Sequence, residues 1–183
     1  MKPIIILLGA PGSGKGTQSK LISKYLGVPV ISTGDMLRKE VENKSPVGNQ
    51  IEPFLNRGEL VPDELIIKMF GQCVHNKEYS NGFISDGFPR TLDQAIAFDG
   101  IFITNKKFNL KVVFLSTSLD SLLERVLGRL TCPICGMIYN RTFNVPKMEN
   151  TCDGCGHIGL NFRSDDTGEV LTTRFKVYRE RVK

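Results

Sequence analysis

Two groups of residues in this sequence have the types and the spacing to do chemistry. The first is Gly9-Ala10-Pro11-Gly12-Ser13-Gly14-Lys15, a G-x-x-x-x-G-K run. Glycines let the backbone wrap so that its N–H groups point at anionic oxygens, and the lysine adds a full positive charge. The chemistry this serves is the holding of nucleotide phosphates. In the usual pattern a hydroxyl directly follows the lysine and helps to hold magnesium. Here Gly16 follows and the hydroxyl comes one place later, at Thr17, so a carboxylate elsewhere is expected to share the metal. The second group is Cys132-Pro133-Ile134-Cys135 and Cys152-Asp153-Gly154-Cys155, with sixteen residues between the two units. Four thiolates at this spacing close a tetrahedral zinc site with no open position, so the expected zinc is structural. His157 is a possible competing ligand, but the four cysteines suffice. Two disulfides or four free thiols are the alternatives, and disulfides are disfavoured in a reducing compartment.

These residues need elements to position them. The apolar run Ile4–Leu8, ended by Gly9, reads as a strand buried on both faces. A helix is predicted from about Lys15 to Leu26, with Leu21, Ile22, Tyr25 and Leu26 as its buried stripe and Gly27 as its cap. The loop lysine therefore falls at a helix N-terminus, whose dipole reinforces its charge. Residues 28–32 read as a second strand, and Ser32 or Thr33 caps a helix carrying Met36, Leu37 and Val41. The stretch 44–58, interrupted by Pro46, Gly48 and Pro53, predicts short helices and loops. Pro62-Asp63 opens a helix with Leu65, Ile66, Met69, Phe70 and Val74, and Cys73 reads as core. Residues 82–85 and 111–115 are a third and a fourth strand. Thr117 or Ser118 caps a helix with Leu122, Leu123, Val126 and Leu127 inward. Strands alternating with amphipathic helices mean a parallel sheet covered on both faces. From about 131 to 161 helical periodicity vanishes, which marks an inserted subdomain, and a last helix runs from about 166 or 171 to the end.

Length and composition set the bounds. A chain of 183 residues, 40% hydrophobic and 23% charged, suits one globular domain with an insertion. There is no apolar run of membrane-spanning length, and the opening apolar stretch is too short for a signal peptide, so a cytoplasmic protein without a membrane partner is expected. The net charge of +5 comes without a Lys/Arg tract of the kind that binds nucleic acid. Many of the arginines sit in motif positions, where guanidinium forks match phosphate oxygens.

Gly9-Ala10-Pro11-Gly12-Ser13-Gly14-Lys15-Gly16-Thr17 resembles the phosphate loop of nucleoside-monophosphate kinases. Ser32-Thr33-Gly34-Asp35-Met36-Leu37-Arg38 and Asp86-Gly87-Phe88-Pro89-Arg90-Thr91 resemble the family's two monophosphate-site signatures. The similarity runs from the N-terminus to about Arg181 and is closest to bacterial-type adenylate kinases with a long lid. The resemblance implies a phosphate-loop (P-loop) nucleoside-triphosphate hydrolase-like α/β three-layer fold with a parallel sheet. It divides the chain into a core of 1–31, 62–127 and 167–183, a monophosphate-binding insert of 32–61 and a zinc-binding lid of 128–166. It implies reversible phosphoryl transfer between ATP and AMP to give ADP, by a monomer with magnesium and no nucleic-acid partner. ATP would be held by Gly12, Ser13, Gly14, Lys15, Gly16 and Thr17, with Arg125 on the adenine, Arg129 on the phosphates and Ile138-Tyr139 near the base or ribose. AMP would be held by Thr33, Arg38, the backbone of Glu59-Leu60-Val61, the run Gly87-Phe88-Pro89-Arg90 and Gln94, whose amide would read the adenine. By its spacing from Thr91, Gln94 also suits a capping box. Asp35 and Asp86 would orient magnesium through water. Arg163 and Arg174 would hold the transferring phosphoryl, with Asp165 and Asp166 able to pair with them. Lys15, Arg38, Arg90, Arg129, Arg163 and Arg174 form the implied catalytic set.

Two other classes are compatible with parts of the pattern. A phosphate-loop ATPase with a nucleic-acid-binding ribbon is disfavoured, because the cysteine segment lacks an aromatic and basic platform. A binding-only protein would lack catalysis. The family continues past the lid helix with a fifth strand and a helix, which the resemblance implies complete the sheet and touch the ATP adenine. This sequence stops in the helix after the lid, and four strands alone would leave an open edge.

Overall fold

The computed structural model describes residues 1–102, 107–163 and 165–181. Four strands, β1 (Lys2–Gly9), β2 (Val30–Ser32), β3 (Phe83–Asp86) and β4 (Phe108–Leu115), form one sheet in the order β2-β3-β1-β4. All neighbouring pairs are parallel, so each connection must cross over the sheet. The chain leaves β1 toward β2 and β3 on one side and later returns to place β4 on the other. The order thus reverses at β1, and parallel sheets bind ligands in the crevice at the carboxyl ends beside such a reversal. Gly9 ends β1 there, and Asp86 ends β3 in register with Leu7 of β1 and Ser32 of β2.

The helices are α1 (Lys15–Leu26), α2 (Thr33–Glu42), α3 (Pro46–Arg57), α4 (Asp63–Val74), α5 (Leu92–Phe102), α6 (Leu119–Leu127) and α7 (Gly168–Arg181). The main core joins Ile4, Ile6 and Phe83 of the sheet to Ile51, Ile66, Phe70, Phe98 and Phe102 of the helices. Phe88, just past β3, stacks on Phe70 with ring centroids 4.1 Å apart. A second cluster packs Ala10 of the phosphate loop against Leu122 and Val126 of α6 and Leu171 and Phe175 of α7. The site loop is thereby fixed to two helices as well as to its strand.

Four local expectations are corrected. Leu21 and Tyr25 are 57% and 88% exposed and Leu26 is also exposed; α1 instead turns Gly16, Ser19, Ile22 and Ser23 inward. The loop sets this rotation. Lys15 and Gly16 must face the end of the sheet, and the helical period then carries residues 19, 22 and 23 to the same side. The two serines satisfy their hydroxyls on Gly16 O (3.0 Å) and Val28 O (2.6 Å). Within the stretch 44–58, Pro46–Arg57 is one continuous helix through Pro53, because Ser45 caps it (Gly48 N to Ser45 Oγ, 2.8 Å) and Pro46 suits its first turn. Val47, Ile51, Phe54 and Leu55 then all reach the core. In α6, Leu122 and Val126 are buried, but Leu127 is exposed. β4 is longer than predicted and lies at the sheet edge, where Val112, Val113 and Phe114 are exposed rather than covered. The last helix is described to residue 181, and residues 182–183 of the expected helix lie outside the described residues.

The cysteine segment is built on short turns. β5 (Arg129–Thr131) and β6 (Ile138–Asn140) pair antiparallel. Each Cys-x-x-Cys unit repeats one pattern: Cys132 N to Met137 O with Gly136 N to Cys132 O, and Cys152 N to His157 O with Gly156 N to Cys152 O. Gly136 and Gly156 have φ of 66° and 73°, which closes both turns in the left-handed region.

Candidate active site

The phosphate loop runs from the end of β1 into α1. Gly14 stands before the helix with φ 98°, and Lys15 is the first helical residue. Lys15 Nζ donates to Gly9 O (2.7 Å) and Ala10 O (2.9 Å), so the ammonium is folded onto its own loop. Burial lowers Lys15 to about 8, despite Asp86, which pulls it upward. Asp86 is raised, again by burial first, with Lys15 and Arg90 opposing. For both partners desolvation outweighs their mutual attraction. A Cβ on Gly16 would lie 3.4 Å from Asp86 Oδ2 and 3.5 Å from Ile138 Cδ1, so Gly16 sits where loop, β3 and cysteine segment meet. The exposed Lys20 of α1 also donates to Gly136 O of that segment. Ser13 Oγ is buried without a hydrogen-bond partner among the described residues, and Thr17 is exposed.

Facing the loop is a set of arginines held by three carboxylates, Asp35, Asp165 and Asp166. Arg129 donates through Nε to Asp166 Oδ2 at 2.7 Å and through its terminal nitrogen to Asp166 Oδ1, a two-pronged pair. Arg174 donates to Asp165 Oδ2, and Arg38 reaches the same oxygen at 3.3 Å. Asp165 Oδ1 is left buried with no partner among the described residues. Arg38 also pairs with Asp35, and Arg163 lies 3.7 Å from Asp35. Burial pushes the Asp165 carboxyl upward, but Arg174 and Arg38 outweigh it and hold it below the usual range. Asp35 is likewise lowered, with Arg38 overcoming burial. Burial and the neighbouring Arg38 and Arg129 bring Arg163 down to about 10. Arg90 opens onto the cavity and donates from Nε to Gly87 O at 2.8 Å; desolvation within the site lowers it as well. Asp165 and Asp166 therefore pair with Arg174 as expected, and with Arg38 and Arg129 besides, while the expected Arg163 turns to Asp35.

Between these walls lies one cavity of about 1330 Å³. That exceeds the usual size of a pocket for a single small ligand. Gly12 to Thr17, Thr33, Asp35, Arg38, Glu59 to Val61, Asp86, Gly87, Pro89, Arg90, Gln94, Arg125, Arg129, Ile138, Tyr139, Arg163 and Arg174 all line it. Phe88 does not, since its ring is in the core. Thr33 is buried, with Oγ1 donating to Asp86 O at 3.3 Å. Glu59 pairs with Arg57 at 2.8 Å on the surface. The Gln94 amide is engaged at both ends, by the Arg90 N–H (2.8 Å) and by Asp63 Oδ1 (2.6 Å). The backbone N–H of Gln94 donates to Thr91 Oγ1 at 3.2 Å, half of the expected capping box. Asp63, read from the sequence only as the opening of a helix, and Asn140 were not expected at the site. Asn140 is buried and ties the cysteine segment to the end of α6 through Arg125 O at 3.2 Å. Neither lies in a recognisable motif, and only the fold brings them to the site.

The four sulfurs of Cys132, Cys135, Cys152 and Cys155 lie within 4.8 Å of one another, with Cys132–Cys155 at 3.6 Å and Cys135–Cys152 at 3.4 Å. A tetrahedron with zinc–sulfur bonds of about 2.3 Å has edges of about 3.8 Å, so the set fits a tetrahedral zinc. These distances are far beyond a disulfide bond of about 2.0 Å. Burial opposes ionisation of Cys152, but hydrogen bonds from the Tyr139 hydroxyl and backbone N–H groups outweigh it and bring the thiol to about 6. The Tyr139 side chain is thus turned into the sulfur cluster, 3.6 Å from Cys152 Sγ, and accepts the Asp153 N–H at 2.6 Å.

A sequence profile of the family described as Adenylate kinase matches residues 7–183. The chain belongs to the adenylate kinase family. The adenylate kinase of Clostridium tetani is 45% identical over 175 residues, which cover 95% of this chain and 80% of that protein. That of Rickettsia africae is 40% identical over 176 residues, 96% of this chain and 81% of the relative. That of Ruminiclostridium cellulolyticum is 41% identical over 177 residues, with 96% and 82% covered. The parallel sheet with its surrounding helices is the α/β fold expected of this family. Among the described residues no helix is long and apolar enough to cross a membrane.

Proposed function

We propose that this member of the adenylate kinase family transfers the γ-phosphoryl of magnesium-bound ATP reversibly to AMP, giving two ADP, as a cytoplasmic monomer that balances adenine nucleotides. The observation that carries the reading is one cavity with a phosphate loop on one wall, a monophosphate signature on the other and a convergent arginine set between them. In this reading residues 12–17 hold the ATP phosphates, with Arg125 and the 138–139 backbone at its base. Arg38 and Arg90 clamp the AMP phosphate, and Thr33, residues 59–61 and Gln94 meet its adenine. Arg129, Arg163 and Arg174 bear on the transferring group. Asp35 and Asp86 orient the magnesium that arrives with ATP, which supplies charge neutralisation between the phosphates.

The acceptor is a phosphate oxygen that is already anionic, so no general base is required. The protein's work is alignment of two anions and neutralisation of charge spread over the transferring oxygens. Residues 128–166 act as the lid over a core of 1–31, 62–127 and 167–183, facing an insert of 32–61. Closure excludes water that would otherwise accept the phosphoryl. We infer that zinc, held by the four cysteines, supplies structure where this segment has only the small apolar cluster of Leu130, Tyr139 and Leu160 around Cys132 and Cys152. The test is steady-state kcat/KM for AMP, CMP and UMP with ATP. AMP is expected to be preferred, and equal use of a pyrimidine would defeat the assignment.

A further inference from the structure

An amide alone does not tell adenine from a 6-oxopurine. In one orientation it matches adenine, which accepts at N1 and donates from its 6-amino group. Turned over, it matches a base that donates from N1 and accepts at O6. Discrimination therefore needs something that stops Gln94 from turning over. The Arg90 backbone N–H donates to Gln94 Oε1 at 2.8 Å, while Gln94 Nε2 donates to Asp63 Oδ1 at 2.6 Å. A backbone N–H can only donate, and a carboxylate can only accept. A reversed amide would set donor against donor and acceptor against acceptor, at a residue only 2% exposed. Asp63 is itself fixed, because its other oxygen accepts from Thr91 Oγ1 at 2.7 Å. It is also the first residue of α4, where the helix dipole favours a carboxylate. Each end of the Gln94 amide keeps one valence, an N–H on Nε2 and a lone pair on Oε1, and Gln94 lines the cavity.

We propose that Asp63 sets the acceptor specificity of this site by locking the Gln94 amide in the orientation that pairs with a 6-aminopurine and opposes a 6-oxopurine. Asp63 is a positioning residue that acts through Gln94, and the proposal rests on the reading of this wall as an AMP site.

The experiment measures kcat/KM with ATP and three acceptors: AMP, IMP, and purine riboside 5′-monophosphate. IMP carries the 6-oxo group and a proton on N1. The purine riboside compound keeps N1 as an acceptor and lacks a 6-substituent. For the unmodified protein the expected order is AMP, then purine riboside 5′-monophosphate, then IMP. In Asp63→Asn the AMP:IMP ratio is expected to fall by about tenfold, the size of one lost hydrogen-bond preference, because asparagine can offer the amide either an oxygen or an N–H. Asp63→Ala gives the same direction and replaces it if circular dichroism shows the asparagine variant unfolded. A residue that merely supported the structure would lower AMP and IMP use together and leave the ratio alone, so an unchanged ratio in a folded variant overturns the proposal. So does an unmodified protein that uses IMP as well as purine riboside 5′-monophosphate, a result that needs no variant. A protein that phosphorylates no AMP fails at the underlying assignment, which is a separate readout.

Discussion

Gly12→Ala should damage the phosphate loop in two separable ways. Gly12 has φ of +81°, and a Cβ there would lie 2.5 Å from Val126 Cγ2 and 3.1 Å from Leu122 O, both on α6. The left-handed backbone costs alanine about 1–2 kcal/mol. Forcing a methyl against the buried Val126 costs about 1–3 kcal/mol more. The expected loss is about 2–5 kcal/mol, a large part of a domain's typical stability. Gly14→Ala isolates the first cost, because Gly14 has φ of +98° but nothing within 4 Å of a Cβ; its loss should be about 1–2 kcal/mol. Val126→Ala removes the obstructing methyl and by itself costs about 2 kcal/mol. The double variant Gly12→Ala/Val126→Ala should then be more stable than the sum of its parts by about 1–2 kcal/mol. Urea unfolding of the nucleotide-free proteins supplies the four values. Additivity within about 0.5 kcal/mol would mean that the new methyl never meets α6, and would refute the reasoning. The KM for ATP should rise in Gly12→Ala and recover in part in the double variant.

Protein purified under reducing, chelator-free conditions should carry one zinc per chain by elemental analysis; chelation should lower the melting temperature while activity persists below it, and zinc-free protein would defeat the structural role. Burial lowers Lys15 to about 8 from its ordinary 10.5, so kcat/KM for ATP should fall above about pH 8, with no such fall in Lys15→Arg. The same shift means that the folded protein binds fewer protons than the unfolded chain between these values, so the charge of Lys15 opposes folding fully below pH 8 and ceases to do so by pH 10.5. Lys15→Met should therefore stabilise the nucleotide-free protein most below pH 8, and denaturant midpoints across pH would show whether that gain fades. Arg90→Ala should lose on the order of 10³–10⁵ in kcat while remaining folded; near-normal turnover in a folded variant would rule out its role.

Where local chemistry decides the structure, the sequence is readable. The glycine-rich loop, the capping Ser32 and the paired cysteine units are set by neighbours a few residues away. Where tertiary position decides, it misleads. Leu21 and Tyr25 have the types of a buried stripe, but the phosphate loop fixes the rotation of α1 and gives the inward face to two serines. Pro53 looks like an interruption, yet the apolar positions 47, 51, 54 and 55 share one helical face and hold α3 together. The apolar run of β4 suggests a covered strand, whereas strand order puts it at an edge. The arginines were visible through their motifs, but their partners were only partly so, because the links from Arg38 to Asp165 and from Gln94 to Asp63 span 127 and 31 residues.

The pairing of Arg38, Arg129 and Arg174 with Asp165 and Asp166 has a kinetic consequence. In the proposed reading an incoming phosphate meets guanidiniums that already hold oxygen anions, so binding is an ion exchange within the protein rather than a capture of free charge. Few dissolved ions are taken up or released in such an exchange, and substrate affinity should vary only weakly with ionic strength. The displaced carboxylates stay attached beside the site at a high effective concentration. They act as tethered competitors that retake the arginines as the product phosphate leaves.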